Sequence, residues 1–489
     1  MKSFLFGKFY FFSGLGKNHN ANIFDLFLGG VMSSSMFKDV GSYKMDGFHL
    51  TINTDNSIKT FTPEENQTLV HEYTHFLQSI STVYGWYRIS NLAIITQHLV
   101  NGIYQKDDGV VRRFPFFNPS GKDGELIESA MSLNTMLEGS NGEENHIKKI
   151  NQSPGFYVVQ DVKAECFSKH PDFDEDIMEL PAGATLSRNI RVTYLFDPTG
   201  QRKDNPNKID VMLGAVCIYE FMAYAIEKHV AEKNVDLPQI PYYVARDVAR
   251  FILECDVDDR IIASLCEFAL QSRSPGETYY NLLIGLKKQK IDYNLLNPDI
   301  MTQCFKADYI VKEDGGDVSY SPIELLNKYA DETLEEYKVL FSNLNDYKGV
   351  SDIISHLNNV VKEHRGKDLF MISKLLYLTP EEAVTNIIEK MRLIGIPPIF
   401  NNSGYIGHAI SDNNHDRYYL FIPMLSEFVD FTVKGNFRCN LIGTCEKYSP
   451  EVVNDNCHSN VYLKGKDNIL CGVGQIIKMW KLNDYKFEQ

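Results

Sequence analysis

No apolar run in these 489 residues reaches the roughly eighteen positions that a membrane-spanning helix needs. The start of the chain, Met1 to Phe12, is apolar but is broken by Lys8, and no small-residue cleavage site follows it. Segment 4–12 therefore reads as a buried first strand rather than a secretory signal. Cys-x-x-Cys pairs are missing, and nine cysteines scattered through so long a chain do not form a disulfide framework. A cytoplasmic setting with reduced thiols is the expectation. There is no Gly-x-Ser-x-Gly elbow to present a serine nucleophile. Gly14-Leu15-Gly16-Lys17 has Phe11 where a phosphate loop needs its first glycine, and Asn18 where it needs a hydroxyl. The acidic run Asp172 to Asp176 has Ile177 where a calcium loop needs its turn glycine. A basic surface is lacking too: the net charge of -15 argues against a general nucleic-acid binder. Neither internal repeats nor low-complexity segments occur.

What the chain does have is ordinary globular composition, with 44% hydrophobic and 12% aromatic residues, enough for two or three domains with sizeable cores. Thr62-Pro63-Glu64-Glu65 is a helix start, with Thr62 as N-cap, Pro63 at the first helical position and Glu65 closing a capping box. Leu69, Val70, Tyr73, Phe76, Leu77 and Ile80 recur at helical spacing after it, and Gly85 suits the end, giving a helix over about 63–84. Inside it stands His71-Glu72-Tyr73-Thr74-His75. Histidines four apart lie one turn apart on one face, so both imidazoles reach a single metal ion. Glu72, rotated roughly 100° from His71, falls beside that ion rather than on it, where a general base for water belongs.

At this pentad the chain resembles the zincin metallopeptidases, closely over residues 61–85 and more loosely in a later helix. The resemblance implies that His71 and His75 bind Zn2+, that Glu72 activates water, and that the substrate is a protein or peptide cut by an endopeptidase. A third histidine at the extended spacing is absent, as Phe76-Leu77-Gln78-Ser79-Ile80-Ser81 follows His75. In the glutamate branch of the zincins the third ligand is a Glu on a later helix. Glu220 fits best, in the middle of an apolar helix expected over about 209–232, where a lone buried carboxylate is costly unless paired or metal-bound. Glu227, seven residues on, is an alternative ligand or an acceptor for a ligating imidazole, and Glu125 and Glu128 are the runners-up. Tyr224 and His229 are candidates to steady an oxyanion; His98 reads as a core histidine.

The fold class expected is α+β, predominantly helical. A zincin-like catalytic domain with a small sheet occupies 1–240, a helical region 241–396, and a small β-rich region 397–489. Residues 48–61 read as a β-hairpin leading into the metal helix; the resemblance implies that it forms one wall of a substrate cleft, and an ordinary hairpin capping the core is the alternative. Residues 105–155 and 167–208 read as loops around that cleft. The helices expected include Tyr242–Glu254, Asp259–Gln271, Glu277–Lys288, Pro322–Leu344, Val350–Glu363, Lys367–Leu378 and one opened by Thr379-Pro380-Glu381-Glu382. The short strands expected beyond Pro397-Pro398 are Arg417–Ile422, Val429–Val433, Val461–Leu463 and Gly474–Trp480. Cys439, Cys445, Cys457 and Cys471, with His458, share that last region, but their separations match no structural zinc spacing, so reduced thiols are expected. The rival to a peptidase is a non-catalytic regulator that binds a partner through the helical region, or a zinc amidohydrolase with a non-peptide substrate.

Overall fold

The computed structural model describes residues 9–11, 41–44, 48–56, 58–104, 111–113, 137–139, 156–166, 188–197, 207–231, 237–304, 309–313, 316–341, 348–365, 368–402, 404–409, 421–433, 435–439, 441–442, 445–446 and 450–488. The fold is α+β and mostly helical, with small sheets. Among the described residues no helix is long and apolar enough to cross a membrane.

Strands β1 (Phe9–Phe11), β2 (Gly41–Lys44) and β3 (His49–Ile52) precede the first long helix, α1 (Pro63–Ser81). The expected hairpin does not form. Residues Ile58–Thr60 make a 3-10 turn instead of a return strand. Asn56 turns the chain aside by donating from Nδ2 to the Glu65 carboxylate at 3.0 and 3.1 Å, tying the loop to the cap of α1. That cap is the reciprocal one expected: Glu65 N donates to Thr62 Oγ1 at 3.2 Å, and Thr62 N to Glu65 Oε2 at 2.6 Å.

The end of α1 also differs from expectation. Ser79, Ser81 and Thr82 donate their hydroxyls back to the carbonyls of His75, Leu77 and Gln78, at 3.0, 2.5 and 2.6 Å. Thr82 Oγ1 then accepts from Gly85 N at 3.0 Å and so opens α2 (Val83–Tyr104). Gly85 thus sits in the first turn of α2 rather than ending α1. A Cβ there would lie 1.9 Å from the Ser79 carbonyl oxygen, so the close fold-back of the two helices requires glycine.

After β4 (Val111–Arg113), strands β5 (Phe156–Cys166), β6 (Arg188–Asp197) and β7 (Asn207–Met212) form an antiparallel meander. Residues 188–197, expected as loop, are therefore a strand, with Ile190, Val192 and Tyr194 turned into the core. Residues 209–212 are strand too, because buried Ile209 and Val211 alternate with exposed Lys208 and Asp210. The helix expected over 209–232 consequently starts later, as α3 (Ala215–Val230).

The helices that follow are α4 (Val244–Leu253), α5 (Asp259–Ala269), α6 (Pro275–Gln289), α7 (Pro298–Cys304), α8 (Pro322–Leu340), α9 (Lys348–Arg365) and α10 (Pro380–Ile394). Strands β8 (Tyr309–Glu313) and β9 (Gly316–Tyr320) interrupt them, and β8 pairs in parallel with β1. In place of a helix over 367–378 there is a 3-10 turn at Ser373–Tyr377. The fully buried Glu267 captures the backbone N–H groups of Ile372 and Ser373 at 3.1 and 2.7 Å. Glu267 also pairs with buried Arg365 at 2.9 Å, and Arg365 donates to Ser81 Oγ at 2.7 Å. One ion pair thereby joins the ends of α1, α5 and α9.

Strands β10 (Ile396–Asn401) and β11 (Gly404–Ala409) complete a sheet in the order β11-β10-β3-β2. β3 is flanked on both sides, antiparallel by β2 and parallel by β10, so it offers no free edge to an added peptide strand. Beyond this sheet the described residues are not β-rich. Phe421–Val433 is helix α11, Asp455–Ser459 is α12, Val461–Lys466 is a 3-10 turn and Gly472–Met479 is α13. Of the strands expected past 409, residues 417–420 lie outside the described set, and the others are helical. Among the described residues past 409, the one strand is β12 (Lys486–Glu488), paired with β4. Short apolar runs leave strand and helix undecided, and here packing decides: Phe341 lies 5.9 Å from Phe421 and 6.3 Å from Trp480 between ring centroids. Buried apolar residues from Phe48 to Phe487 form one cluster. Within it α3 packs on α1, α4, α5 and α10.

Candidate metal centre

The helices α1 and α3 cross so that His71, His75 and Glu220 face each other, all three at least nine-tenths buried. His71 Nε2 stands 3.1 Å from His75 Nε2 and 3.2 Å from Glu220 Oε2, and His75 Nε2 stands 3.3 Å from that same oxygen. Tetrahedral ligands about 2.0–2.1 Å from a zinc ion are separated from one another by about 3.3 Å. The three distances match that edge.

Outer partners fix which nitrogens carry protons. His71 Nδ1 lies 2.8 Å from Glu227 Oε2, a carboxylate that only accepts, so Nδ1 is the protonated nitrogen. His75 Nδ1 lies 2.8 Å from Gln78 Oε1. Gln78 Nε2 in turn donates 3.1 Å to the Tyr219 carbonyl, and because a carbonyl only accepts, the amide orientation is fixed. Both Nε2 atoms therefore turn lone pairs toward each other and toward a carboxylate oxygen. With both imidazoles neutral, three acceptors would meet with no donor among them, an arrangement that a proton or a metal ion at their centre would relieve. Burial alone would lower the pKa of His71, yet its bonds to Glu220 and Glu227 outweigh that and raise it well above the ordinary imidazole value. A proton on His71 supplies one positive charge; a divalent ion supplies two and satisfies every lone pair. The donor set, two imidazoles and one carboxylate, suits zinc.

Glu72 is buried beside this group, and among the described residues its carboxylate has no hydrogen-bond partner. Burial pushes its pKa up, the two imidazoles pull it back, and Glu220 and Glu227 add to the rise, leaving it at about 7. Burial would raise Glu220 as well, but the imidazoles of His75 and His71 bring it down to about 2.

Of the helpers expected, neither His229 nor Tyr224 stands at the centre as a free group. His229 Nε2 bonds the Leu378 carbonyl at 2.9 Å, and the Tyr224 hydroxyl lies 2.5 Å from that of Tyr243. His98 is half-buried on α2. Glu125 and Glu128 lie outside the described residues. The residue the sequence did not single out is Tyr242, buried, with its ring 6.0 Å from that of His71. Burial, then the charges of Glu220, Glu72 and Glu227, raise its pKa well above the ordinary phenol value, so the hydroxyl keeps its proton. Gln78 went unnoticed as well, although its spacing, three residues after His75 on the same helical face, was a usable signal.

Cys439 and Cys457 are buried and Cys445 and Cys471 half-buried, all free thiols. Burial pushes Cys439 up to about 12 and Cys445 to about 11, and Cys471 Sγ accepts from Gly474 N at 3.3 Å to cap α13. Among the described residues the only group placed to hold a metal ion is His71, His75 and Glu220. Comparison with family models, curated proteins and solved structures gives no match for this chain.

Proposed function

We propose that this protein is a zinc-dependent peptidase with a zincin-type core, hydrolysing a peptide bond in a protein substrate. One observation carries the reading: three lone pairs from α1 and α3 converge at tetrahedral spacing, with an unbonded carboxylate of near-neutral pKa next to them. His71, His75 and Glu220 would hold the ion, with Glu227 and Gln78 orienting the imidazoles. Bound zinc supplies Lewis acidity, lowering the pKa of water toward neutrality and polarising a carbonyl. Glu72 takes the proton from the attacking water and delivers it to the leaving amine. Tyr242, whose ring lies beside that of His71, keeps its proton and is the candidate O–H donor to the oxygen that gains charge in the tetrahedral intermediate.

The test pairs metal content with proteolysis. Wild type and Glu72→Gln are purified, their zinc is quantified, and each is incubated with a cell lysate with and without a chelator while new protein termini are counted. The expected result is equal zinc in both proteins, and chelator-sensitive new termini from wild type alone. Zinc-loaded wild type that generates no termini would favour a binding protein or a non-peptide amidohydrolase. Cleavage by Glu72→Gln at the wild-type rate would remove Glu72 as the base.

A further inference from the structure

We propose that Gln78 is a positioning residue that locks His75 and registers α1 against α3. The inference rests on the metal-centre reading above. Gln78 is almost fully buried, on the same face of α1 as His71 and His75. Its amide does two things at once. The oxygen accepts the His75 Nδ1–H at 2.8 Å, holding the tautomer whose Nε2 lone pair points at Glu220. The nitrogen donates to the carbonyl of Tyr219, the residue immediately before Glu220, at 3.1 Å.

The imidazole on one helix and the backbone next to Glu220 on the other are thus held by one side chain. No other residue type does both jobs equally well. A carboxylate accepts from His75 but has no donor for Tyr219, and an aliphatic chain does neither. His71 is held differently, by the anionic Glu227 on α3, so each imidazole carries its own link across the two helices. The edge-on contact of the His75 and Tyr219 rings, 5.0 Å between centroids, backs the amide link with packing.

Gln78→Met keeps the volume and removes both hydrogen bonds, whereas Gln78→Glu keeps the acceptor for His75. Chelator-stripped proteins are titrated with zinc against a chromophoric chelator, and with cobalt while the visible d–d bands are recorded. Gln78→Met is expected to bind zinc about 10–100-fold more weakly than wild type, with altered cobalt bands. Gln78→Glu, which keeps the acceptor for His75 but loses the donor to Tyr219, is expected to bind about 3–10-fold more weakly, less affected than Gln78→Met, with wild-type bands. Gln78→Met with wild-type affinity and bands overturns the proposal. So does a Gln78→Glu protein with unchanged affinity or altered bands, which also decides the matter if Gln78→Met does not fold. Wild type that binds neither metal defeats the metal-centre reading and this inference with it. Wild type that binds while Gln78→Met is unchanged defeats this inference alone.

Discussion

Glu72 and Glu220 carry the same side chain, yet one is pushed up to about 7 and the other down to about 2. Both are buried, so burial does not separate them. Bonding does: Glu220 touches both imidazoles, while Glu72 is left unbonded among the described residues. Two carboxylates pulled apart in this way fit the different roles proposed for them, Glu220 as a ligand and Glu72 as the base. Tyr242 is the third partner at this scale, and it makes a separable prediction. Tyr242→Phe deletes a single oxygen from a ring packed against His71, leaving the ligand set intact. The expected outcome is wild-type zinc content with kcat lowered about 10²–10³-fold and KM changed little, the signature of a lost oxyanion donor. Steady-state kinetics on a substrate identified from the lysate termini would check it; an unchanged kcat would leave Tyr242 as packing only. The histidine pentad was legible because its chemistry is written in a spacing of four within one helix. Glu220 was legible because an acid amid apolar residues demands a partner. Tyr242 was not, since nothing in 241–243 says that this turn lies against α1.

Elements whose cause is local were the most legible. The starts at Thr62, Ser321 and Thr379 share a hydroxyl, a proline and a glutamate, and in each the reciprocal cap is present. Elements whose cause is distant were not. The run after β3 became a 3-10 turn because Asn56 is drawn to Glu65, and the turn at 373–377 exists because Glu267 arrives from a hundred residues away. A helix pair can also hold a titrating group that no local pattern shows. Ser90 on α2 donates to Glu336 on α8 at 2.5 Å, and burial, against the pull of that bond, raises Glu336 from 4.5 to about 7. The folded carboxyl thus keeps its proton above the pH at which the unfolded one loses it. The contribution is intact below about pH 4.5 and is lost as pH rises toward 7, by at most about 3 kcal/mol. Urea denaturation of wild type and Glu336→Gln between pH 5 and about 7.5 is expected to show a smaller loss in the variant. Parallel pH profiles would disprove the assignment.

At the scale of the whole molecule, the candidate metal centre joins segments 149 residues apart in sequence. α1 is tied at its end to α5 and α9 through Ser81, Arg365 and Glu267, and α3 packs on α1, α4, α5 and α10. Opening the centre therefore disturbs the shared core rather than a loose edge. Three carboxylates, Glu72, Glu220 and Glu227, stand around two imidazoles, and a cation among them would offset their mutual repulsion. An ion bound only by the folded chain stabilises it by about 4 kcal/mol when free zinc exceeds the dissociation constant about a thousandfold. For a chain of this length that corresponds to roughly 4 °C in unfolding temperature. Calorimetry of wild type, zinc-loaded and then chelated, is expected to show a fall of that order, recovered on adding zinc back. Glu220→Ala and His75→Ala should begin below wild type and respond to neither chelator nor zinc. A zinc-loaded wild type that melts at the same temperature after chelation would mean that no ion joins α1 to α3, whatever the spacing of their side chains.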